Sequence, residues 1–433
     1  MVALFFFPAS EFLSSHVNEL SGGLPTDIGL LSNLEQLQLH TNTLNGSLPP
    51  SLMDCTNLTT LLLRNNRSVT AVRLAYNALV GEIPPCMASL RSLTHLSLTN
   101  NYLSNVVRAL KILRHCNNLA VLLIASCFHG EMIDDNDSWG QGSLQNLQIL
   151  AMGGSNLKGQ IPSWIATLRN LKVLDLSYNE ISGPIPSWFG DMPSLFDLNL
   201  TRNFLSGDLP HEIGRLPALI PDNTSLDLGY LLLPFALDNQ QYYRLSNMAR
   251  GLKVGNNSLS GNIPEELGQL KRLQVLDLSN NNFNGSIPDK LSHLINLEKL
   301  DMSGNHLSGE ITQSLTGLHF LSSFSVVNND LDGEIPSGVQ FYTFSAASFE
   351  GNSRLCGSLL KRKCHVVTQP EMEEPEAEAE AEAEGSWSSN ILPFGLGYSV
   401  GLSAVSITLL SILQRETLDL NVQLFRNDVY VVC

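Results

Sequence analysis

Apolar positions along this chain recur with a fixed phase. From about residue 18 to residue 337 the pattern Leu-x-x-Leu-x-Leu-x-x-Asn-x-Leu-x-Gly-x-Ile-Pro repeats. Its asparagine position falls at Asn42, Asn66, Asn77, Asn101, Cys127, Ser155, Asn179, Asn203, Asn257, Asn281, Asn305 and Asn329, and most steps are 24 residues. The most regular copy runs Leu273, Leu276, Leu278, Asn281, Phe283, Gly285, Ile287, Pro288, and the next follows at once with Leu297, Leu300, Met302 and Asn305. In each copy the Leu-x-Leu pair reads as a short strand whose leucines point inward while the residues between them face out. A period of this length is that of stacked coils, none of which can bury its apolar side without a neighbour. The pattern therefore predicts a right-handed solenoid of ~24-residue coils with a parallel sheet on its concave face, a dozen coils at ~4.8 Å spanning roughly 60 Å. The asparagine is expected to be buried and to bond the backbone of the turn, forming an interior ladder. Gly-x-Ile-Pro leads the chain to the convex side, glycine permitting a tight path and proline removing a donor where no ladder partner exists.

Three departures from the period carry information. From Asn66 to Asn77 there are only 11 residues, too few for a chain to circle the solenoid, so a break in the sheet and weak packing are expected around Arg64 to Val72. From Cys127 to Ser155 there are 28, with the polar run Asp134, Asp135, Asn136, Asp137 reading as a longer surface loop. From Asn203 to Asn257 there are 54, one coil plus an insertion of 30 residues at Ile220 to Ala249. Long breaks in a regular solenoid tend to be functional, and Tyr230, Phe235, Tyr242 and Tyr243 give this island aromatic anchors, with Arg244 and Arg250 beside them. On the concave face of the flanking coils, Asp197, Asn199, Thr201, Arg202, Lys253, Asp277, Ser279 and Asp301 are available for polar contacts.

Composition narrows the class of protein. Apolar residues make up 43% of the 433 and charged ones 15%, enough to bury a large core. The net charge is −16, and eight of those negatives are glutamates between Glu371 and Glu384, which leaves about −8 elsewhere and argues against a nucleic-acid partner. Of seven cysteines, Cys55, Cys86, Cys116, Cys127 and Cys433 are far apart, with no CxxC and no ligand-spaced histidines, so no metal or other cofactor is expected. Cys55, Cys116 and Cys127 occupy repeat positions and read as buried free thiols. Cys356 and Cys364 lie close together where the repeats end and read as one disulfide of an oxidising compartment. Eight glycosylation sequons, at Asn45, Asn57, Asn66, Asn136, Asn199, Asn223, Asn256 and Asn284, point to the same compartment.

The segments in order are 1–24, an incomplete first coil whose cap is missing; 25–219, repeats; 220–249, the island; 250–337, repeats; 338–368, a C-terminal cap; 369–389, an acidic spacer; 390–413, a membrane helix; and 414–433, a short tail. Val2 to Phe7 are apolar but lack a basic flank, a weak signal peptide, so a truncated product is expected. Residues 390–413 carry no charge and as a helix reach ~36 Å, enough to cross a ~30 Å hydrocarbon core. Glutamates before the span and Arg415 after it put the repeats outside the cell. Gly397 and Gly401 form a G-x-x-x-G pair that lets a second helix approach. The same stretch spells G-x-S-x-G, but no strand precedes it and His365 lies before the spacer, so an enzyme is not expected. The 20-residue tail has no room for a kinase.

These coils, with their Gly-x-Ile-Pro turns and the closing segment Phe349 to Cys364, resemble the extracellular domains of plant leucine-rich-repeat receptors. The island and its flanks (Leu216 to Leu219 before, Leu300 to Asn305 and Gly317 to Phe320 after) are similar to the receptors for tyrosine-sulfated peptides, of the phytosulfokine type. The resemblance covers about residues 18 to 364 and implies a hormone-binding surface made by the island and the adjacent concave face, joined by a co-receptor kinase once ligand is bound. Without a kinase the chain resembles the receptor-like proteins, which borrow an adaptor kinase. A sulfate would need charged donors, and Arg202, Arg244, Arg250 and Lys253 are the basic residues in or beside the island. The expectation is a single-pass plasma-membrane glycoprotein that binds an extracellular peptide. The alternatives are a secreted or wall-associated inhibitor of a pathogen enzyme, using the same concave face without the membrane span, and a non-signalling truncated decoy.

Overall fold

One three-residue strand per coil is the unit from which the solenoid is assembled. The computed structural model describes residues 12–15, 18–30, 36–39, 41–46, 71–133, 143–221, 235–237, 240–242 and 244–364. All belong to the first of the two units, residues 1–365 and 366–433, into which the chain divides. The strands form a 12-stranded parallel sheet running from Phe12–Ser14 through Asp197–Asn199 and Gly251–Lys253 to Ser323–Ser325. Register keeps the inward leucines in one row: Leu198 faces Leu252, Leu252 faces Leu276, and Leu276 faces Leu300. Each is no more than 1% exposed, and full burial of one such side chain is worth about 1.5 to 3 kcal/mol. The expected membrane span, with Gly397 and Gly401, lies outside the described residues. Among those described, no helix is long and apolar enough to cross a membrane.

The asparagine ladder is present in the predicted form. Asn281 donates through Nδ2 to the Val254 carbonyl of the preceding coil at 3.1 Å and to the Leu278 carbonyl of its own at 3.2 Å, while its Oδ1 accepts from Leu259 N at 3.0 Å. Asn305 and Asn329 repeat the arrangement. Asn352 then carries it into the cap, accepting from Leu331 N and donating to the Val326 carbonyl. Where the ladder residue is Ser155, its hydroxyl accepts from Cys127 N, and Asn179 accepts from both Ser155 N and Leu157 N.

The short step at Asn66 is corrected by the structure. Strand Gln36–Gln38 pairs directly with Ala71–Arg73, Leu37 opposite Val72, with Ala71 and Val72 buried. Asn77 is the ladder partner of the coil that contains Asn42: it accepts from Leu44 N and donates to the Leu39 carbonyl. Asn42 and Asn77, 35 residues apart, thus occupy neighbouring ladder positions, and the sheet is not broken between their strands. Asn66 matched the motif locally, but the stacking position next to Asn42 belongs to Asn77. Asn66 itself lies outside the described residues.

A second set of strands follows the ladder residue in each coil, in a 4-stranded sheet from Ser21–Gly23 to Tyr102–Ser104 and a 9-stranded sheet from Met132–Ile133 to Arg354–Cys356. The motif's Asn-x-Leu-x-Gly stretch supplies them. Its glycine is needed: Gly285 has φ +72°, and a Cβ there would lie 2.4 Å from Asn262 Oδ1. Past the proline, short 3-10 turns such as Glu265–Gln269 and Asp289–His293 line the convex side. They stack so closely that a Cβ on Gly268 would lie 2.3 Å from the Lys290 carbonyl. The gap between the second sheets coincides with an unpredicted α-helix, Val106–Leu113, in a coil without the Gly-x-Ile-Pro turn. Val106, Ala109, Leu110 and Leu113 are buried along one face, and the Glu131 carboxylate accepts the Asn105 and Val106 amides at the helix start.

At the C-terminal end Phe324 takes the place of an inward leucine and packs against Phe341, Phe344 and Phe349, with ring centroids 5.2 to 5.6 Å apart. Cys356 and Cys364 are bridged, as expected, and Arg362 donates to the Ser353 and Leu355 carbonyls beside the bridge. Cys116 and Cys127 are buried free thiols, pushed up to about 11 and about 12 by burial. His95 is buried too. Its Nδ1 lies 2.8 Å from Thr94 Oγ1, its Nε2 is buried without a hydrogen-bond partner, and burial, with nearby Arg73, lowers its pKa to about 4.

Three outcomes follow. Asn281→Ala leaves buried amide and carbonyl groups unpaired and should cost roughly 2 to 4 kcal/mol in chemical denaturation, whereas Asn284→Ala on the exposed surface should change little. Because the unfolded chain protonates its histidine near pH 6.5 and the folded chain only near pH 4, stability should fall as pH drops from about 6.5 to about 4, by on the order of 3 kcal/mol. His95→Gln should flatten that part of the stability profile, and an unchanged slope would contradict the assignment. In native protein alkylation should spare Cys116 and Cys127, and a nonreduced digest should hold Cys356 joined to Cys364. Replacing both bridged cysteines by serine should cost roughly 2 to 3 kcal/mol.

Candidate ligand-binding surface

Residues between the inward leucines face outward on the 12-stranded sheet, and on this face the polar side chains are closed onto one another. Asn199 Oδ1 accepts from Thr201 N at 3.2 Å and from Thr201 Oγ1 at 2.6 Å. Asp277 does the same with Ser279, at 3.0 and 2.6 Å, and Asp301 with Ser303, at 2.9 and 2.6 Å. Each residue thereby uses the turn two positions on, a local bond that Asx and Ser/Thr side chains make readily. The strand end is held rigid, and the second carboxylate oxygen of Asp277 and of Asp301 remains for another partner.

Lys253 and Arg202 are both engaged within the protein. Lys253 Nζ lies 3.0 Å from Asp197 Oδ1 in a largely buried pair. Gly251 makes that reach possible, since a Cβ there would fall 2.6 Å from the Asp197 carboxylate and 2.7 Å from Lys253 Cε. Arg202, in a left-handed backbone conformation at φ +55°, holds its guanidinium 5.0 Å from the Tyr178 ring centroid. Arg244 is exposed at the island's return, and Arg250 is half-buried at the edge of the sheet.

The island enters and leaves without disturbing the sheet. Asp197–Asn199 pairs in register with Gly251–Lys253, and Asn257 donates across the insertion to the Leu200 carbonyl at 3.0 Å. At the entry Leu219 is buried and its carbonyl accepts from Arg272 N; at the exit Leu245 and Met248 are buried in the common core. Between them Phe235–Leu237 and Gln240–Tyr242 form an antiparallel hairpin with Phe235 opposite Tyr242. Tyr230 and Tyr243 lie outside the described residues. Of the sequons, Asn45 and Asn284 are exposed and Asn256 is half-buried, while Asn199 is only 9% exposed and engaged by Thr201, a poor position for a glycan. Asn57, Asn66, Asn136 and Asn223 lie outside the described residues.

Sequence reasoning missed a cleft that Arg250 shares with Arg272, Gln274, Asn296, Glu298 and Phe320. The signal was present, because Arg250, Gln274 and Glu298 are spaced by 24 residues, as are Arg272, Asn296 and Phe320. Each trio is one column on the solenoid's flank.

The leucine-rich repeat family matches residues 145–205, 170–219 and 249–307. Receptor-like protein 3 of Arabidopsis thaliana is 55% identical over 276 residues, which cover 62% of this chain and 36% of that protein. Phytosulfokine receptor 1 of the same plant is 45% identical over 182 residues, 41% of this chain and 18% of the receptor. The chain therefore spans about a third or less of the length of these relatives. Among solved structures, the Arabidopsis receptor kinase HAESA, in complex with the peptide hormone IDA and the co-receptor SERK1, superposes with a TM-score of 0.57 at 29% identity, over 80% of this chain and 54% of that one. A TDR receptor superposes with a TM-score of 0.55 at 28% identity, over 75% and 52%. An asparagine ladder carried in register across an island, in a chain with these relatives, supports a plant leucine-rich-repeat receptor-like protein.

Proposed function

We propose that this chain binds an extracellular peptide on the outward face of its long sheet together with the island, and that tyrosine-sulfated peptides are the first ligands to test. The observation that carries the reading is the insertion itself. The insertion contains a hairpin and leaves the sheet unbroken, between buried Leu219 at its entry and buried Leu245 and Met248 at its exit, as suits a binding loop on a rigid support. Likeness to phytosulfokine receptor 1 favours a sulfated peptide, and the complex of HAESA with a peptide hormone and a co-receptor favours a co-receptor as a further partner. In this reading the protein is a single-pass glycoprotein, anchored through residues 390–413 with the repeats outside the cell, and its signal is passed on by co-receptor or adaptor kinases.

Calorimetry with secreted peptides, sulfated and unsulfated, tests the reading on the full chain and on a variant whose residues 222–243 are replaced by a short Gly-Ser turn that leaves Leu245 and Met248 in place. Binding should weaken at least about tenfold in the variant. Undiminished affinity would remove the island from the binding surface, and equal affinity for both forms of a peptide would remove the sulfate. Extraction that depends on detergent is the expected outcome for the membrane anchor; release by salt alone would contradict it.

A further inference from the structure

The cleft on the island flank has a volume of about 260 Å³ and is lined by the two columns of residues described above. It lies where the strands Gly251–Lys253, Val275–Asp277 and Lys299–Asp301 begin, and it is tied to the coil that leads into the island by the bond from Arg272 N to the Leu219 carbonyl. Its walls are held in place. Arg250 N donates to Gln274 Oε1 at 3.1 Å, and Gln274 Nε2 donates to Glu298 Oε1 at 2.7 Å. The Arg250 guanidinium is less well supplied: one terminal nitrogen is 3.5 Å from Gln274 Oε1, and its Nε is buried with no hydrogen-bond partner. Burial, and then the like charge of Arg272, lower its pKa from the ordinary value, as expected for two guanidinium groups held near each other. Phe320, 66% exposed, forms an apolar wall.

We infer that this cleft binds an oxyanion carried by a peptide side chain, with Arg250 and Arg272 as its donors and Phe320 packing against the rest of that side chain. Two guanidinium groups face one carboxylate, and that carboxylate already accepts from Gln274. An oxyanion offers acceptors to the terminal nitrogens of both guanidinium groups and relieves the repulsion between the two arginines. The volume suits one side chain. The inference rests on the peptide-receptor reading only for the identity of the carrier. A tyrosine sulfate and an acidic residue's carboxylate present the same chemistry.

Ligand-observed NMR and calorimetry on the full chain would use three probes: N-acetyl-sulfotyrosine amide, N-acetyl-tyrosine amide and N-acetyl-aspartate amide. The sulfotyrosine probe should bind the parent and Arg215→Gln alike, the latter removing an equal charge from the convex side. It should bind Arg250→Gln and Arg272→Gln roughly 10- to 100-fold more weakly, and the unsulfated tyrosine probe should show no such dependence. Phe320→Ala, which leaves the charges in place, should weaken the sulfotyrosine probe several-fold. An aspartate probe with the same arginine dependence would support the site and assign its oxyanion to a carboxylate. Equal affinity of the sulfotyrosine probe for the parent and for correctly folded Arg250→Gln and Arg272→Gln would overturn the inference, as would failure of both oxyanion probes to bind. If the probes fail while secreted peptides still bind through the island, the cleft falls and the receptor reading stands. If the probes bind with this dependence while no peptide does, the cleft stands and the receptor reading falls.

Discussion

Turning a chain out of a strand inside a solenoid buries backbone groups that no regular ladder reaches, and in this protein a side-chain amide from the next coil satisfies them. Asn281 joins Val254, Leu278 and Leu259, two adjacent coils, through one carboxamide, and its counterparts do so from Asn77 to Asn352. A buried amide or carbonyl without a partner costs about 1 to 3 kcal/mol, so each coil is bound to its neighbour by a term that tolerates no slip in register. The inward leucines are non-directional and would allow some slip. The asparagine bonds fix the strand positions, and the leucine rows then line up.

This constraint acts on a few residues in each coil and leaves the return path free. A coil can be 24 residues long, or 35 between Asn42 and Asn77, or 54 between Asn203 and Asn257, and the strands still pair in register. Lengthening a surface connection costs little entropy, because closure entropy grows only as the logarithm of loop length. The island is thus tolerated by the fold through the same asparagine bonds that hold the regular coils together. Its base is held by core residues at both ends, so the support does not depend on the insertion.

Along the outward face most polar side chains are closed onto their own turns, and Lys253 onto Asp197. Such pairs make a rigid, prearranged surface, and a ligand there meets the remaining carboxylate oxygens of Asp277 and Asp301. The Arg250 Nε, buried without a hydrogen-bond partner, lies instead at the flank, where the coil at the island's exit meets those that follow it. Arg250 and Arg272 belong to different coils and come together only because coils stack one period apart.

Much of this was legible from the chain alone. The 24-residue period gave the strands, the ladder and the place of the insertion, and two neighbouring cysteines gave the bridge, since each is a property of one coil or of two residues close in sequence. Tyr242, Phe235, Lys253 and the acidic row were placed on the island or the outward face by position in the repeat. The second sheets, the helix Val106–Leu113 and the place of Asn66 were not legible in the same way. Whether a motif match occupies a stacking position depends on which coil lies beside it, and Asn77, not Asn66, fills the bonding position next to Asn42. The Lys253–Asp197 pair and the arginine cleft are decisions of the tertiary structure for the same reason. A repeat specifies where each side chain leaves its own coil, but the charge it meets belongs to a neighbour that only stacking brings within reach.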